Sequence, residues 1–274
     1  MSNLSYHSIE GRHTVHKKYL YTQFEGVTYL RCGKDTLPAS YDPLRDYDDL
    51  LLDVMAVAEV VLACPDFWAF CVKHGGDRIA DTVFWRGEDF FGKNSLDAKK
   101  IMQALFNFTI KYGLPEWETG RRLEVELPDR YIHLLITREK QETNEDNVAY
   151  AESKKQMAGK EILPAGTMAL MMVDFYDRFL LQRGNTYLYL ERATTSFQHS
   201  KDREPELMMK VHGLVSCIDW AYVLLVSGRK SAVRQCKQCK KIFIAEDLRA
   251  EYCSGKCRGA YNSAMTRKRK KVQG

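Results

Sequence analysis

The sequence predicts a mainly α fold with a few strands (α+β): a helical body followed by a small C-terminal module built on four cysteines. Three observations carry that prediction. Apolar residues recur at helical spacing in several windows, as in Leu50, Leu51, Val54, Val57, Ala58 and Val61. Two windows, 18–32 and 121–137, read instead as extended chain. Cys236, Cys239, Cys253 and Cys257 follow one another with the spacing C-x2-C-x13-C-x3-C.

The chain has 274 residues, enough for one large or two small domains with a buried core. Hydrophobic residues make up 45% and charged residues 28%, which places it among ordinary globular chains rather than disordered or fibrous ones. The opening segment, Met1 to His7, has no apolar run behind a basic start, so no secretory leader is expected. The most apolar helix candidate, 206–226, is interrupted by Lys210, His212 and Asp219 and reads as a buried helix, not a membrane span. A cytoplasmic location is expected, where thiols stay reduced. Cys32, Cys64, Cys71 and Cys217 are scattered among apolar neighbours and read as small core residues. The net charge of +5 is unevenly placed: residues 229–274 hold fourteen Lys or Arg against three acids, a net of +11, so the remainder sums to −6. Positive charge concentrated in this way attracts phosphate backbones.

Taken in order, Lys18–Phe24 and Val27–Cys32 read as two strands joined at Glu25-Gly26. Asp46, Asp48 and Asp49, after Pro43, open a helix through about Ala63, because acids are favourable at the positive end of the helix dipole. Pro65 starts a shorter helix to about His74, stopped by Gly75-Gly76. Asp81, Glu88 and Asp89, with Trp85, Arg86, Phe90 and Phe91, read as a surface loop anchored by aromatics. Asn94-Ser95 caps a helix from Leu96 to about Tyr112, ended by Gly113 and Pro115. In 121–137, Leu123, Val125 and Leu127 alternate with polar residues, and an apolar run from Tyr131 follows. Residues 138–160 are polar and charged, an exposed loop or soluble helix and the best internal boundary. Pro164 opens a helix from Ala165 to about Gln182, ended by Gly184-Asn185. Thr186–Leu190 reads as a short strand and 193–205 as a polar connection. Pro205 then begins a long helix to Val226, with Gly228 as its C-cap. The domains expected are 1–228, a mostly helical body that senses a ligand or dimerises, and 229–274, the cysteine module with its basic end. The short connection 227–234 predicts a rigid join.

Two close cysteine pairs separated by about a dozen residues suit one tetrahedral site with four thiolate ligands, the donor set of structural zinc. Four thiolates leave no open position, so the ion would hold structure and activate no water. Cys236 and Cys239 sit on a tight turn, and Ile242-Phe243-Ile244 follows as a small strand. Phe243 is expected to plug a core too small to fold without metal, with Tyr252 beside it. Ser254 caps a helix beginning near Gly255, with Cys257 in its first turn and Tyr261 and Met265 continuing the same face. The run Arg267 to Lys271 forms its last turn or a frayed end.

The run RQCKQCKKIF from Arg234 to Phe243, then EYCSGKCR from Glu251 to Arg258 and a basic end, resembles the CGNR zinc finger. That finger is the C-terminal module of bacterial proteins whose helical domain is often called ABATE. The resemblance implies an intracellular bacterial protein, a stress-linked transcription regulator, with the family's four zinc ligands falling on Cys236, Cys239, Cys253 and Cys257. The long helix expected before the module is also similar. After the fourth cysteine this chain has Arg258-Gly259-Ala260 where the family motif has Gly-Asn-Arg, and residues 1–60 lack the usual N-terminal motif. The resemblance therefore rests on the C-terminal module.

These features predict a zinc-finger nucleic-acid-binding protein, first of all a DNA-binding transcription regulator with one structural Zn2+. Lys240, Lys241, Arg267, Lys268, Arg269, Lys270 and Lys271 are expected to contact phosphate. Arg258 and Asn262 are expected at base edges, since Arg pairs well with guanine and Asn with adenine. Double-stranded DNA is the expected partner, and a homodimer is expected because a single finger buries little surface. Two alternatives use the same module: an RNA-binding protein in which Tyr252 and Tyr261 stack on unpaired bases, and a protein-docking zinc module without nucleic acid. The body has no HExxH, no P-loop, no GxGxxG in context and no GxSxG, and His74, His133, His199 and His212 are isolated. No enzyme is predicted, and no sequence feature names an effector ligand.

Overall fold

The computed structural model describes residues 8–24, 27–33, 39–75, 90–92, 95–115, 122–127, 130–135, 162–181, 193–200, 203–229 and 231–273. Its first half runs β1 (Ser8–Val15), β2 (Tyr19–Phe24), β3 (Val27–Cys32), β4 (Ala39–Tyr41), α1 (Tyr47–Leu62), α2 (Pro65–Gly75), α3 (Leu96–Tyr112), β5 (Arg122–Leu127) and β6 (Arg130–Leu135). Its second half runs β7 (Ile162–Pro164), α4 (Ala165–Tyr176), β8 (Ala193–Ser200), β9 (Arg203–His212), α5 (Leu214–Val223), β10 (Ala232–Gln235), β11 (Ile242–Ala245) and α6 (Gly255–Gln273). Two helices end in π-helical turns, α4 over Asp177–Leu181 and α5 over Leu224–Gly228. The fold is α+β, as the sequence predicts. No helix among the described residues is long and apolar enough to cross a membrane.

The strands form small sheets. β2 and β3 pair antiparallel in the expected hairpin register, Phe24 opposite Val27, and β7 adds to the far side of β3. β5 and β6 form a second antiparallel hairpin. The remaining body sheet has the order β4-β1-β9-β8, with β1 parallel to β9 and the other pairs antiparallel.

Helices α1, α2 and α3 lie where apolar periodicity and caps place them. Ser95 Oγ accepts from Ala98 N–H at 3.0 Å, and Gly113 ends the helix at φ 88°. Leu50, Leu51, Val54, Met55, Ala58 and Val61 of α1 are fully buried; each such side chain contributes about 1.5–3 kcal/mol, Ala less. α4 is buried on every side from Ala165 to Phe175, so it is the central helix, packed against α1 and α3. Phe90 and Phe91 anchor their segment against Phe67, with ring centroids 5.3 and 5.9 Å away. The Glu25-Gly26 turn, Asp81, Trp85, Arg86, Glu88, Asp89, the segment 138–160 and the strand expected at Thr186–Leu190 lie outside the described residues.

The region 193–226 departs from expectation. The polar connection expected at 193–205 is largely strand, and the long helix expected from Pro205 starts only at Leu214. Gly213 makes the corner between β9 and α5 at φ 88°, with its N–H donating to Arg12 O at 3.0 Å. The apolar run thus splits: Met209 and Val211 bury one face of a strand, and Leu214, Val215, Cys217 and Ile218 bury one side of a short helix. Within the core, Arg178 bridges Asp174 at 3.0 Å and Asp219 at 2.9 Å, joining α4 to α5.

Candidate metal centre

The module is built on a hairpin that the body holds. β10 and β11 pair antiparallel in the register Ala232↔Ala245, Val233↔Ile244, Arg234↔Phe243 and Gln235↔Ile242. Val233 and Ile242 belong to the main hydrophobic core, Ile244 packs against it, and β11 lies against α1. Past Gln235 the chain curls. Cys236 N–H donates to Lys241 O and Lys240 N–H donates to Cys236 O, each at 2.9 Å. The curl places Lys240 at φ 63°, a left-handed conformation that costs a side-chain-bearing residue about 1–2 kcal/mol.

The second cysteine pair is drawn to the first by hydrogen bonds. Lys237 N–H donates to Glu251 O at 3.0 Å, and the Lys237 ammonium pairs with the Glu251 carboxylate. Arg234 Nη2 donates to Leu248 O at 2.9 Å. Asp247 Oδ1 accepts from Arg249 N–H at 2.9 Å, and this bond, with the Arg249 guanidinium, holds the Asp247 carboxyl below the usual carboxylate range. Ser254 Oγ then accepts from Cys257 N–H at 3.3 Å, the N-cap the sequence predicts for α6.

All four sulfurs of Cys236, Cys239, Cys253 and Cys257 lie within 4.8 Å of one another. Cys239 and Cys253 are 3.6 Å apart, as are Cys253 and Cys257. Those separations match the edges of about 3.8 Å expected for a tetrahedron of thiolates with metal–sulfur bonds of about 2.3 Å. They are far beyond the roughly 2.05 Å of a disulfide, and all four cysteines are free. Cys236 is buried, Cys253 and Cys257 half-buried and Cys239 exposed, so the cluster sits at the module surface with its first ligand facing inward.

The sulfurs are electrostatically unequal. Burial pushes the Cys236 thiol up, but the nearby N–H groups of Cys239, Cys253 and Gln238, and the Cys239 thiol, bring it down to about 6. Cys253 is pushed up to about 12, first by the Cys239 and Cys257 thiols and then by burial. Thiolates this close repel one another, and a bound divalent cation removes that repulsion.

The predicted nucleic-acid contacts fall on two elements. Lys240 and Lys241 are exposed in the curl. Arg258, Asn262, Arg267, Lys268, Arg269 and Lys270 are exposed on α6, and Lys271 lies in the same helix. The basic end, expected as a last turn or a frayed end, is helical to Gln273. Lys256, which the sequence reading leaves out, is a further exposed cation in the first turn; its position just after the Ser254 cap is the signal that would find it. α6 contains no acid, and among the described residues none of its cations through Lys270 forms an ion pair. Three other cations of the region are paired: Arg229 with Asp48, Lys237 with Glu251, Arg249 with Asp247. Tyr252 packs on Tyr261, ring centroids 5.4 Å apart. No family model, curated protein or solved structure matches the chain.

Proposed function

We propose that this chain is a nucleic-acid-binding protein whose four-cysteine cluster holds one structural Zn2+ and whose helix α6 meets the nucleic acid. Cys236, Cys239, Cys253 and Cys257 would hold the ion, which supplies a closed structural cross-link and no catalytic position. The observation that carries the reading is α6 itself: a helix with no acid, extending from the cluster, whose described cations are exposed and free of ion pairs. Unpaired cations held on a rigid element are the footprint of phosphate binding. The resemblance to the CGNR zinc finger supports duplex DNA and a role in transcription regulation in a bacterial cytoplasm. The mutual packing of Tyr252 and Tyr261 favours duplex over unpaired bases, because both rings are already engaged.

Fluorescence anisotropy tests this with purified zinc-loaded protein and labelled duplex DNA, single-stranded RNA and an uncharged control polymer. Saturable, salt-sensitive binding to a nucleic acid, lost when the residues after Thr266 are removed with the four cysteines intact, is expected. Binding to no nucleic acid at low salt would overturn the reading and leave the module as a protein-docking element.

A further inference from the structure

We infer that α6 seats in the major groove of duplex DNA through one narrow face, Gly259–Ser263–Thr266, with cations on both flanks reaching the two phosphate strands. This rests on the nucleic-acid reading above and adds the duplex, the groove and the face. At 100° per residue, Cys257, Tyr261, Ala264 and Lys268 share the side turned toward the metal cluster. Cys257, Tyr261 and Ala264 are half-buried, which fixes that side as the inner one. Gly259, Ser263 and Thr266 lie on the opposite side, all exposed, with Lys270 continuing the row.

The outward row is small. A Cβ at Gly259 would meet nothing within 4 Å, so the glycine answers to no packing demand inside the chain. The Thr266 hydroxyl is turned back to Asn262 O at 3.0 Å. About a quarter-turn to one side of the row stand Arg258, Asn262 and Arg269, and to the other Lys256 and Arg267; of these Arg269, Lys256 and Arg267 take the phosphates, and Arg258 and Asn262 the adjoining base edges. None of these cations is ion-paired among the described residues. Charge of one sign on both flanks of a thin ridge complements a groove walled by phosphates on both sides.

Size selects the groove. A helix with side chains is about 10–12 Å across. The major groove of B-DNA is about 12 Å wide, whereas the A-form RNA major groove is too deep and narrow for side chains to read. A ridge of Gly, Ser and Thr lets the helix axis approach the base edges more closely than long side chains would. From Gly259 to Thr266 the row covers about 10 Å of axis, or roughly three base-pair steps.

The test compares wild-type protein with two double variants, Gly259→Gln/Ser263→Gln and Gly259→Ala/Ser263→Ala, all zinc-loaded and checked by circular dichroism. Both replacements are better helix formers than the originals, so α6 is retained. The probes are short random-sequence duplex DNA, duplex RNA and single-stranded DNA. The bulky variant should bind duplex DNA about tenfold more weakly or worse, with an unchanged salt slope, while the alanine variant stays within about twofold. Equal affinity of the bulky variant would overturn this face and leave the nucleic-acid reading standing. Preference of the wild type for duplex RNA or single strands would overturn the groove assignment. Failure of the wild type on every probe would overturn the nucleic-acid reading itself.

Discussion

Arg229 pairs with Asp48, joining the start of the cysteine module to the first turn of α1 across 181 positions of sequence. The Arg229 guanidinium also lies over the Tyr47 ring, 4.9 Å from its centroid. Four residues on, Val233 is fully buried in the body's core. These two contacts hold the same junction by different physics, and their magnitudes differ. The ion pair is exposed on both sides, 48% and 40%, and pairs of that kind contribute about 0–1 kcal/mol. Val233 removes its whole side chain from water, and deleting two methyl groups there costs about 2 kcal/mol. Arg229→Ala should therefore leave the urea midpoint nearly unchanged, whereas Val233→Ala should lower it clearly. The reverse order would mean that the ion pair, and not burial, holds the module.

Metal removal should act mainly on α6. The hairpin β10–β11 keeps apolar contacts with the body, but α6 has no continuous apolar stripe, only Cys257, Tyr261 and Ala264 half-buried on one side. A helix without such a stripe depends on its tether, and here the tether is the thiolate cluster through Cys257. Chelation of the loaded protein should lower the far-UV helix signal by about the 19 residues of α6 and leave the body's near-UV spectrum in place. Added Zn2+ should restore it, and Cys253→Ser should reproduce the loss. A helix signal that ignores the chelator would show that α6 stands without metal.

How far the sequence leads depends on the range of the contacts that decide each element. Helix α3 was legible because its determinants are local: the Ser95 cap, the periodic Ile101, Leu105 and Phe108, the stop at Gly113. The cysteine cluster was legible because spacing alone restricts which sulfurs can share an ion. β9 was not, because Glu206, Leu207, Met208, Met209 and Lys210 are good helix formers running into a true helix. What makes them a strand is pairing on both edges: with β8 just upstream, Gln198 opposite Glu206 and Phe197 opposite Leu207, and with β1 some two hundred positions away, Ser8 opposite Met208 and Arg12 opposite His212. Gly213 inside the run was the local sign of a corner. β10 was missed for a related reason: Ala232 to Gln235 is only four residues, and its pairing with β11 and burial on the body give it its strand form.

The buried ions should prove more sensitive than the exposed ones. Arg178 is held between Asp174 and Asp219, and its faces lie near the Phe175 and Phe179 rings at 4.8 and 5.1 Å. Burial works to lower its pKa, but the two carboxylates outweigh it and the guanidinium stays charged. Removing one partner strands charge in a dry site, at about 3–5 kcal/mol. Asp219→Ala should thus lower the melting temperature by roughly 6–20 °C for a chain of this size. Lys111→Ala, which breaks the exposed pair with Asp53, should move it by about 4 °C or less. Comparable shifts from the two variants would remove the special standing of the buried triad.

The cations of α6 make a prediction that separates steering from sequence reading. Each phosphate neutralised on duplex DNA adds about −0.9 to the slope of log affinity against log salt. Engagement of about five phosphates gives a slope of roughly −4 to −5. Arg267, Arg269 and Lys270 share the last turns of the helix, and replacing all three with Gln should reduce the slope by about 2–3. That loss should be uniform across DNA sequences. Arg258→Ala, on the flank of the outward ridge in the first turns, should instead relax sequence preference at one position while moving the slope by about 1 or less. The two effects are measured together by titrating a small panel of duplexes at several salt concentrations. A triple variant with an undiminished slope would show that the end of α6 does not meet the phosphates, and the contact would then have to be sought nearer the curl, at Lys240 and Lys241.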